Sequence, residues 1–217
     1  PKNYYYTDSI SDNAVTFLKA HAEESPETPV FLYLAYTTAH WPMHALPEDI
    51  AKYKGKYDGG YDPVRAARFK RIKKMGLVKE SVQLSGRSDD WEKNPNKEWE
   101  SRNMEVYAAM IDNMDQGIGR VVAEFKRQGT LDNTLIFYLQ DNGACAEGFG
   151  RYKSKRPYKT DYKPLGKDGF QTKIWPPMQT RDGRPVRNGP DVMGGPADSF
   201  TGVSRGWANV SNTPFRE

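Results

Sequence analysis

Two short apolar runs constrain this chain more than any other feature: "VFLYLAY" (Val30–Tyr36) and "LIFYLQ" (Leu135–Gln140). Both are rich in aliphatic and aromatic residues and apolar at consecutive positions rather than alternate ones. Such a run suits a strand covered on both faces, the situation of a parallel sheet with helices on either side. Helical patterns surround both. In "TDSISDNAVTFLKAHAEES" the residues Ile10, Ala14, Val15, Phe17 and Leu18 form a stripe, with Thr7, Asp8 and Ser9 as N-cap candidates. Residues 48–78 read as helical and basic, split in two by Gly59, Gly60 and Pro63. The strongest periodicity runs through Met104, Tyr107, Ala108, Ile111, Met114, Ile118, Val121, Val122 and Phe125, with Gly129 as a C-terminal stop. The order helix, strand, helices, helix, strand predicts an α/β chain whose mixed, mostly parallel sheet is flanked by helices.

Composition narrows the function classes. One cysteine in 217 residues excludes an internal disulfide framework and any multi-cysteine zinc site. No stretch approaches the roughly 20 apolar residues of a membrane span, so none is expected. The net charge of +4 suits an anionic ligand, although solvated lysines explain it equally well. Nothing in the composition sets an oligomeric state. Between Gly150 and Gly206 lie nine glycines and seven prolines with little periodicity. A structureless stretch of that length is unusual and tends to be functional or to lean on absent partners. A chain that opens at Pro1 and stops at "NTPFRE" reads as part of something longer.

Two loops carry candidate chemistry because each leaves the carboxyl end of an apolar run, the edge where α/β sheets bind ligands. One offers His40, which could exchange a proton with a reacting oxygen. The other offers Asp141 and Asn142, hard oxygen ligands of the type that Ca²⁺ and Mg²⁺ take. Residue types alone leave a plain alternative open, since "DNG" is also a common turn.

The segments around these residues resemble a known family. "FLYLAYTTAHWPMHALPEDIAKYKGKYDGGYDPVR" is similar to the part of type I sulfatases, notably bacterial arylsulfatases, in which "AHWP" or "PHWP" carries an active-site histidine. "YAAMIDNMDQGIGRVVAEFKRQGTLDNTLIFYLQDNGA" resembles the segment that delivers their Asp-Asn metal ligands, and "GWANVSNTPFRE" the stretch ahead of a family lysine. The resemblance implies an incomplete α/β domain of the alkaline-phosphatase superfamily. Residues 1–147 would be core, 148–206 a long loop region, and 207–217 the start of the next core segment. It implies that Asp141 and Asn142 hold a divalent cation, usually Ca²⁺, and that His40 stands near the scissile ester oxygen. It further implies a formylglycine nucleophile, made from Cys or Ser in a Cys/Ser-x-Pro-x-Arg motif, acting on a sulfate ester, either a small molecule or a sulfated glycan. Periplasmic or secreted placement is a family expectation.

The departures matter as much. Cys145 sits in "CAEGF", without the motif's Pro and Arg, and no serine version fits. The nucleophile and much of the cation shell are therefore expected outside this chain, and the 217 residues alone are expected to be inactive. Alternatives are a phosphodiesterase or phosphonate monoester hydrolase of the same superfamily, or a catalytically dead paralogue that binds sulfated glycans. Cys145 reads as a bystander, His44 as a loop residue, His21 as a solvated helix position, and Asp112 and Asp115 as a solvated or capping network. "GRYKSKRPYK" (150–159) reads as a basic loop or a subsite wall for sulfated ligands. Nucleic-acid binding is not expected, because no recognised module accompanies it. Asn209-Val210-Ser211 matches a glycosylation sequon.

Overall fold

The computed structural model describes residues 4–152, 159–171 and 177–216. The strongest periodicity becomes the longest helix. The described helices, in chain order, are α1 (Tyr6–Glu24), α2 (Pro47–Ala51), α3 (Tyr61–Lys74), α4 (Lys97–Arg127) and α5 (Arg205–Ser211), with a 3-10 turn at Leu131–Asn133. α4 ends where the sequence predicts. Gly129 takes φ +73°, and Thr130 N–H reaches back to the Phe125 carbonyl at 3.1 Å, closing the last turn.

α1 buries Thr7, Ser11, Ala14 and Leu18 against α4. The two approach closely at Gly117, where a Cβ would stand 2.2 Å from Ser11 Oγ. The expected cap does not form. α1 begins at Tyr6, one residue ahead of the candidates, with Tyr5 as a cap that lends no side-chain bond. Thr7 and Asp8 are spent on tertiary contacts, to Thr38 Oγ1 and Arg120. Phe17, expected on the apolar stripe, is 64% exposed.

The main core gathers Met43, Ile50, Tyr61, Val106, Met110 and Trp207 from α2 to α5 and the loop before α2. Trp207 is fully buried, edge-on to Tyr57, Tyr61 and Trp91, and donates its indole N–H to the Glu100 carbonyl at 2.9 Å. The long Gly/Pro-rich region does not stay outside this core. Val192, Phe200 and Val203 are buried, and an isolated bridge ties Gly195 to His44. Asn209 is itself 3% exposed, so the sequon has no room for a glycan. Asp112 accepts an ion pair from Lys52, which also holds Asp49, tying α2 to α4.

Among the described residues neither apolar run is hydrogen-bonded into a ladder. Strand-like pairing there is limited to isolated bridges. In the first run, Leu32 and Leu34 pack on Ala14, Leu18, Val121 and Phe125, and Tyr36 Oη meets Ser11 Oγ at 2.9 Å. Its other face is bare, with Phe31 at 92% and Tyr33 at 81% exposed. The second run is exposed throughout. The expected sheet is thus not formed among these residues. An extended segment becomes a strand only when a neighbour takes up its N–H and C=O groups, and these two runs do not bond to each other.

One buried carboxylate makes a testable contribution to this fold. Glu100 is fully buried, takes hydrogen bonds from Asn94 Nδ2 (3.1 Å) and Ser204 Oγ, and faces Arg151 Nε at 3.6 Å. Burial lifts its carboxyl above the ordinary 4.5, against the opposing pull of Ser204 and Arg151. The folded state then holds more protons than the unfolded one, so this group's contribution declines as pH rises from its ordinary value through its raised one. Urea unfolding between about pH 4 and 7 is expected to show that decline in the wild type and a flatter profile in Glu100→Gln.

Candidate functional site

His40 and the pair Asp141–Asn142 open onto one cleft of about 2360 Å³, lined in part by the apolar face of α4. All three side chains are exposed. The His40 loop is held at its base by Met43, fully buried, whose N–H donates to the Thr201 carbonyl at 3.0 Å. The ring places Nδ1 2.7 Å from the Trp41 carbonyl. A carbonyl only accepts, so Nδ1 carries the proton and Nε2 is the free nitrogen. As imidazolium, His40 therefore has one unspent donor, at Nε2.

Trp41 joins this loop to the other. Its indole N–H donates to Glu147 Oε2 at 2.8 Å across 106 residues, and its ring packs on Phe149 (4.5 Å between centroids) and Phe200 (5.9 Å). The aromatic group fixes His40 and the segment after Asn142 as one unit. Gly202 fits beneath them because a Cβ there would lie 2.7 Å from the Glu147 carbonyl.

The Asp-Asn loop has a clamp of its own. The Asn212 amide, at the end of α5, accepts from Ala144 N–H at 2.7 Å and donates to the Ala144 carbonyl at 2.9 Å. Gly143 is required beside it, since a Cβ would meet Asn212 Oδ1 at 2.5 Å. Asn212→Ala strands both Ala144 backbone groups. The expected cost is about 2 kcal/mol, or a fall in Tm of roughly 5 °C. Asn212→Asp, which keeps the acceptor and loses the donor, is expected to cost about half as much in the same thermal melts.

A family model described as Sulfatase matches residues 1–181. The chain belongs to the sulfatase family. It is 32% identical to an arylsulfatase of Klebsiella aerogenes over 230 aligned positions, covering 99% of this chain and 41% of that protein. It is 38% identical to an uncharacterized sulfatase of Schizosaccharomyces pombe over 149 positions, 66% of this chain and 26% of that one. A multifunctional alkaline phosphatase superfamily protein of Trinickia caryophylli is 25% identical over 92% of this chain and 37% of its own length. The chain thus spans less than half the length of these curated relatives. Family membership carries an α/β fold of the alkaline phosphatase superfamily.

In this sulfatase chain the Asp-Asn pair suits a hard cation as far as it goes. Asn142 donates from Nδ2 to the Gly143 carbonyl at 2.8 Å, which leaves its Oδ1 as the side-chain acceptor. Such oxygens are of the type that Ca²⁺ takes, six to eight at a time. Among the described residues no group of three or more His, Cys, Asp or Glu side chains stands close enough to hold a metal by itself.

Cys145 is exposed, and its sulfur accepts from Glu147 N–H at 3.3 Å. Burial raises its thiol above the ordinary value, the Glu147 N–H pulling it the other way. At about pH 8 it is expected to alkylate with iodoacetamide several-fold more slowly than free cysteine, roughly as its thiolate fraction falls. His44 is half-buried, donates from Nε2 to the Ser199 carbonyl at 2.9 Å, and has its pKa lowered by burial. It pins a loop. The central residues of the basic loop, 153–158, lie outside the described residues.

Sequence reasoning missed Asn212 and Glu147. Neither carries a local signal, since each acts on a partner 68 or 106 residues away.

Proposed function

We propose that the full-length protein hydrolyses sulfate monoesters, with Asp141 and Asn142 as ligands of a divalent cation, Ca²⁺ by preference, and His40 at the leaving-group oxygen. The observation that carries this reading is the convergence of the two loops on one cleft in a sulfatase-family chain, locked together by Trp41 and Glu147. A cation held there would offset charge on the sulfate oxygens as the ester bond breaks.

This chain's own residues do the rest. Asp141 and Asn142 orient the sulfate end from the Asn212 clamp. Neutral His40 has a bare Nε2. Only its imidazolium donates there, so it gives a proton to the departing oxygen and ends with its remaining proton on Nδ1, against the Trp41 carbonyl. The His40 ring packs on Trp41, 4.6 Å between centroids, and Trp41 in turn packs on Phe149 and Phe200.

The nucleophile, a formylglycine hydrate on this reading, is not encoded in these 217 residues, because no Cys/Ser-x-Pro-x-Arg motif occurs in them. The isolated segment is accordingly inactive. The bare edges of the two apolar runs belong to a mixed, mostly parallel sheet that the remainder of the protein completes. The protein works in the periplasm or outside the cell; no described helix is long and apolar enough to cross a membrane.

The test is steady-state hydrolysis of 4-nitrophenyl sulfate against 4-nitrophenyl phosphate by the full-length protein. A higher kcat/KM for the sulfate supports the reading. A preference for the phosphate assigns the protein to the phosphoester branch of the superfamily, and no turnover of either leaves a sulfated-glycan binder.

A further inference from the structure

Two stretches are rich in positive charge, residues 150–159, with five Lys and Arg and no acid, and residues 61–79. Residues 61–79, α3 and the turns after it, contain seven Lys and Arg against the single acid Asp62, a surplus of six in a chain whose net charge is +4. The rest of the molecule is slightly acidic. Three of those cations have structural uses or lie beyond the helix. Arg65 is buried and donates to Ser85, Lys73 reaches the Glu80 carbonyl at 2.6 Å and its carboxylate at 3.7 Å, and Lys79 follows the helix. The other four, Arg68, Lys70, Arg71 and Lys74, are exposed and have no ion-pair partner among the described residues.

At 100° per residue Lys70, Arg71 and Lys74 fall on an arc of about 100° turned away from the Tyr61 and Arg65 side that packs inward, while Arg68 borders that side. Like charges three and four apart on a helix repel. This helix carries no interleaved acid to relieve them and has no use for them in its own packing. Arg68 and Arg71 also line the wall of the cleft that holds His40 and Asp141. Arg68 lies close enough to Tyr107 to act on it electrostatically, as does Tyr138, three residues ahead of Asp141. A row of cations therefore leads along α3, about 21 Å long, to the mouth of the site.

We propose that α3 is a docking surface for a polyanionic carbohydrate, a glycan chain carrying several sulfate groups, which it guides toward the cleft. Charge complementarity names the partner: a row of unpaired cations along one helix matches repeated anions along one chain, whereas a single small ester would engage at most one or two of them. The ligand class rests on the sulfate-ester reading, but binding is measured without turnover.

The experiment uses the full-length protein and a dextran sulfate resin, with uncharged dextran as the blank. R68Q/K70Q/R71Q/K74Q is compared with K54Q/K126Q/K163Q/K167Q, which removes the same charge from exposed lysines outside the cleft. Circular dichroism confirms that both variants fold. Affinity for dextran sulfate is expected to fall at least about tenfold in the α3 variant and less than about twofold in the control, with tight binding lost as salt is raised. K70Q/K74Q, which leaves the cleft wall intact, should leave 4-nitrophenyl sulfate turnover unchanged. Equal losses in both variants, or a wild type that dextran does not distinguish from dextran sulfate, would overturn the proposal. So would a single-stranded RNA that binds α3 more tightly than the sulfated polymer and displaces it. Absence of turnover with retained, α3-dependent binding would sink the hydrolase reading and leave this surface standing.

Discussion

Asp141→Ala in the full-length protein is expected to lower kcat/KM for an aryl sulfate by about a thousandfold, roughly 4 kcal/mol of transition-state stabilisation. Nothing else in the loop can replace it. Asn142 is neutral, its Nδ2 is committed to the Gly143 carbonyl, and Glu147 accepts from the Trp41 indole instead of facing the cleft. Asp141 itself is exposed, so its removal leaves no buried polar group behind and the thermal midpoint should barely move. That separation of activity from stability is the signature sought. A comparable loss of Tm would mean that Asp141 is a turn residue, as the bare "DNG" pattern allows. Asn212→Ala gives the opposite signature, a clear stability loss with activity falling only as far as the loop loosens.

Trp207→Ala is the substitution with the largest expected effect on stability. The side chain is fully buried between Tyr57, Tyr61 and Trp91, and its indole satisfies the Glu100 carbonyl. Truncation removes the apolar contact, leaves a cavity and frees a buried acceptor, for about 5 kcal/mol in all. A domain of this size should then melt roughly 10–15 °C lower. Trp207→Phe keeps the edge-to-face packing and loses only the N–H, so about 1–2 kcal/mol is expected. If Trp207→Phe cost as much as Trp207→Ala in denaturant unfolding, the hydrogen bond rather than the packing would dominate this core.

The helices were legible because local periodicity decides them. Met104 to Phe125 and Gly129 locate α4 and its end, and Gly60 stands just ahead of α3, but the helical reading of residues 52–58 fails because α2 stops at Ala51, and Pro63 lies inside α3. The start of α1 was not legible, because Thr7 and Asp8 look like caps but are drawn away by Thr38 and Arg120. Nor was the fate of the Gly150–Gly206 region, whose aperiodic sequence hides single anchors such as Val192 and Phe200. The apolar runs were read as strands, and among the described residues neither forms one. A sheet is a property of pairs of segments, and here neither run has a bonded neighbour among the described residues. In the candidate site, residue types after the two apolar runs single out His40, Asp141 and Asn142, and the structure opens all three onto one cleft. The Trp41–Glu147 bond and the Asn212 clamp were not legible, because each spans a separation over which sequence carries no period.

The measurement that bears most directly on the central claim is turnover of 4-nitrophenyl sulfate by the full-length protein after exhaustive chelation and stepwise return of Ca²⁺. Activity that disappears with the cation and returns in the wild type, but not in Asp141→Ala, is the predicted result. Full activity in the chelated protein, or equal recovery by both, would contradict the assignment of Asp141 and Asn142 as the cation's ligands.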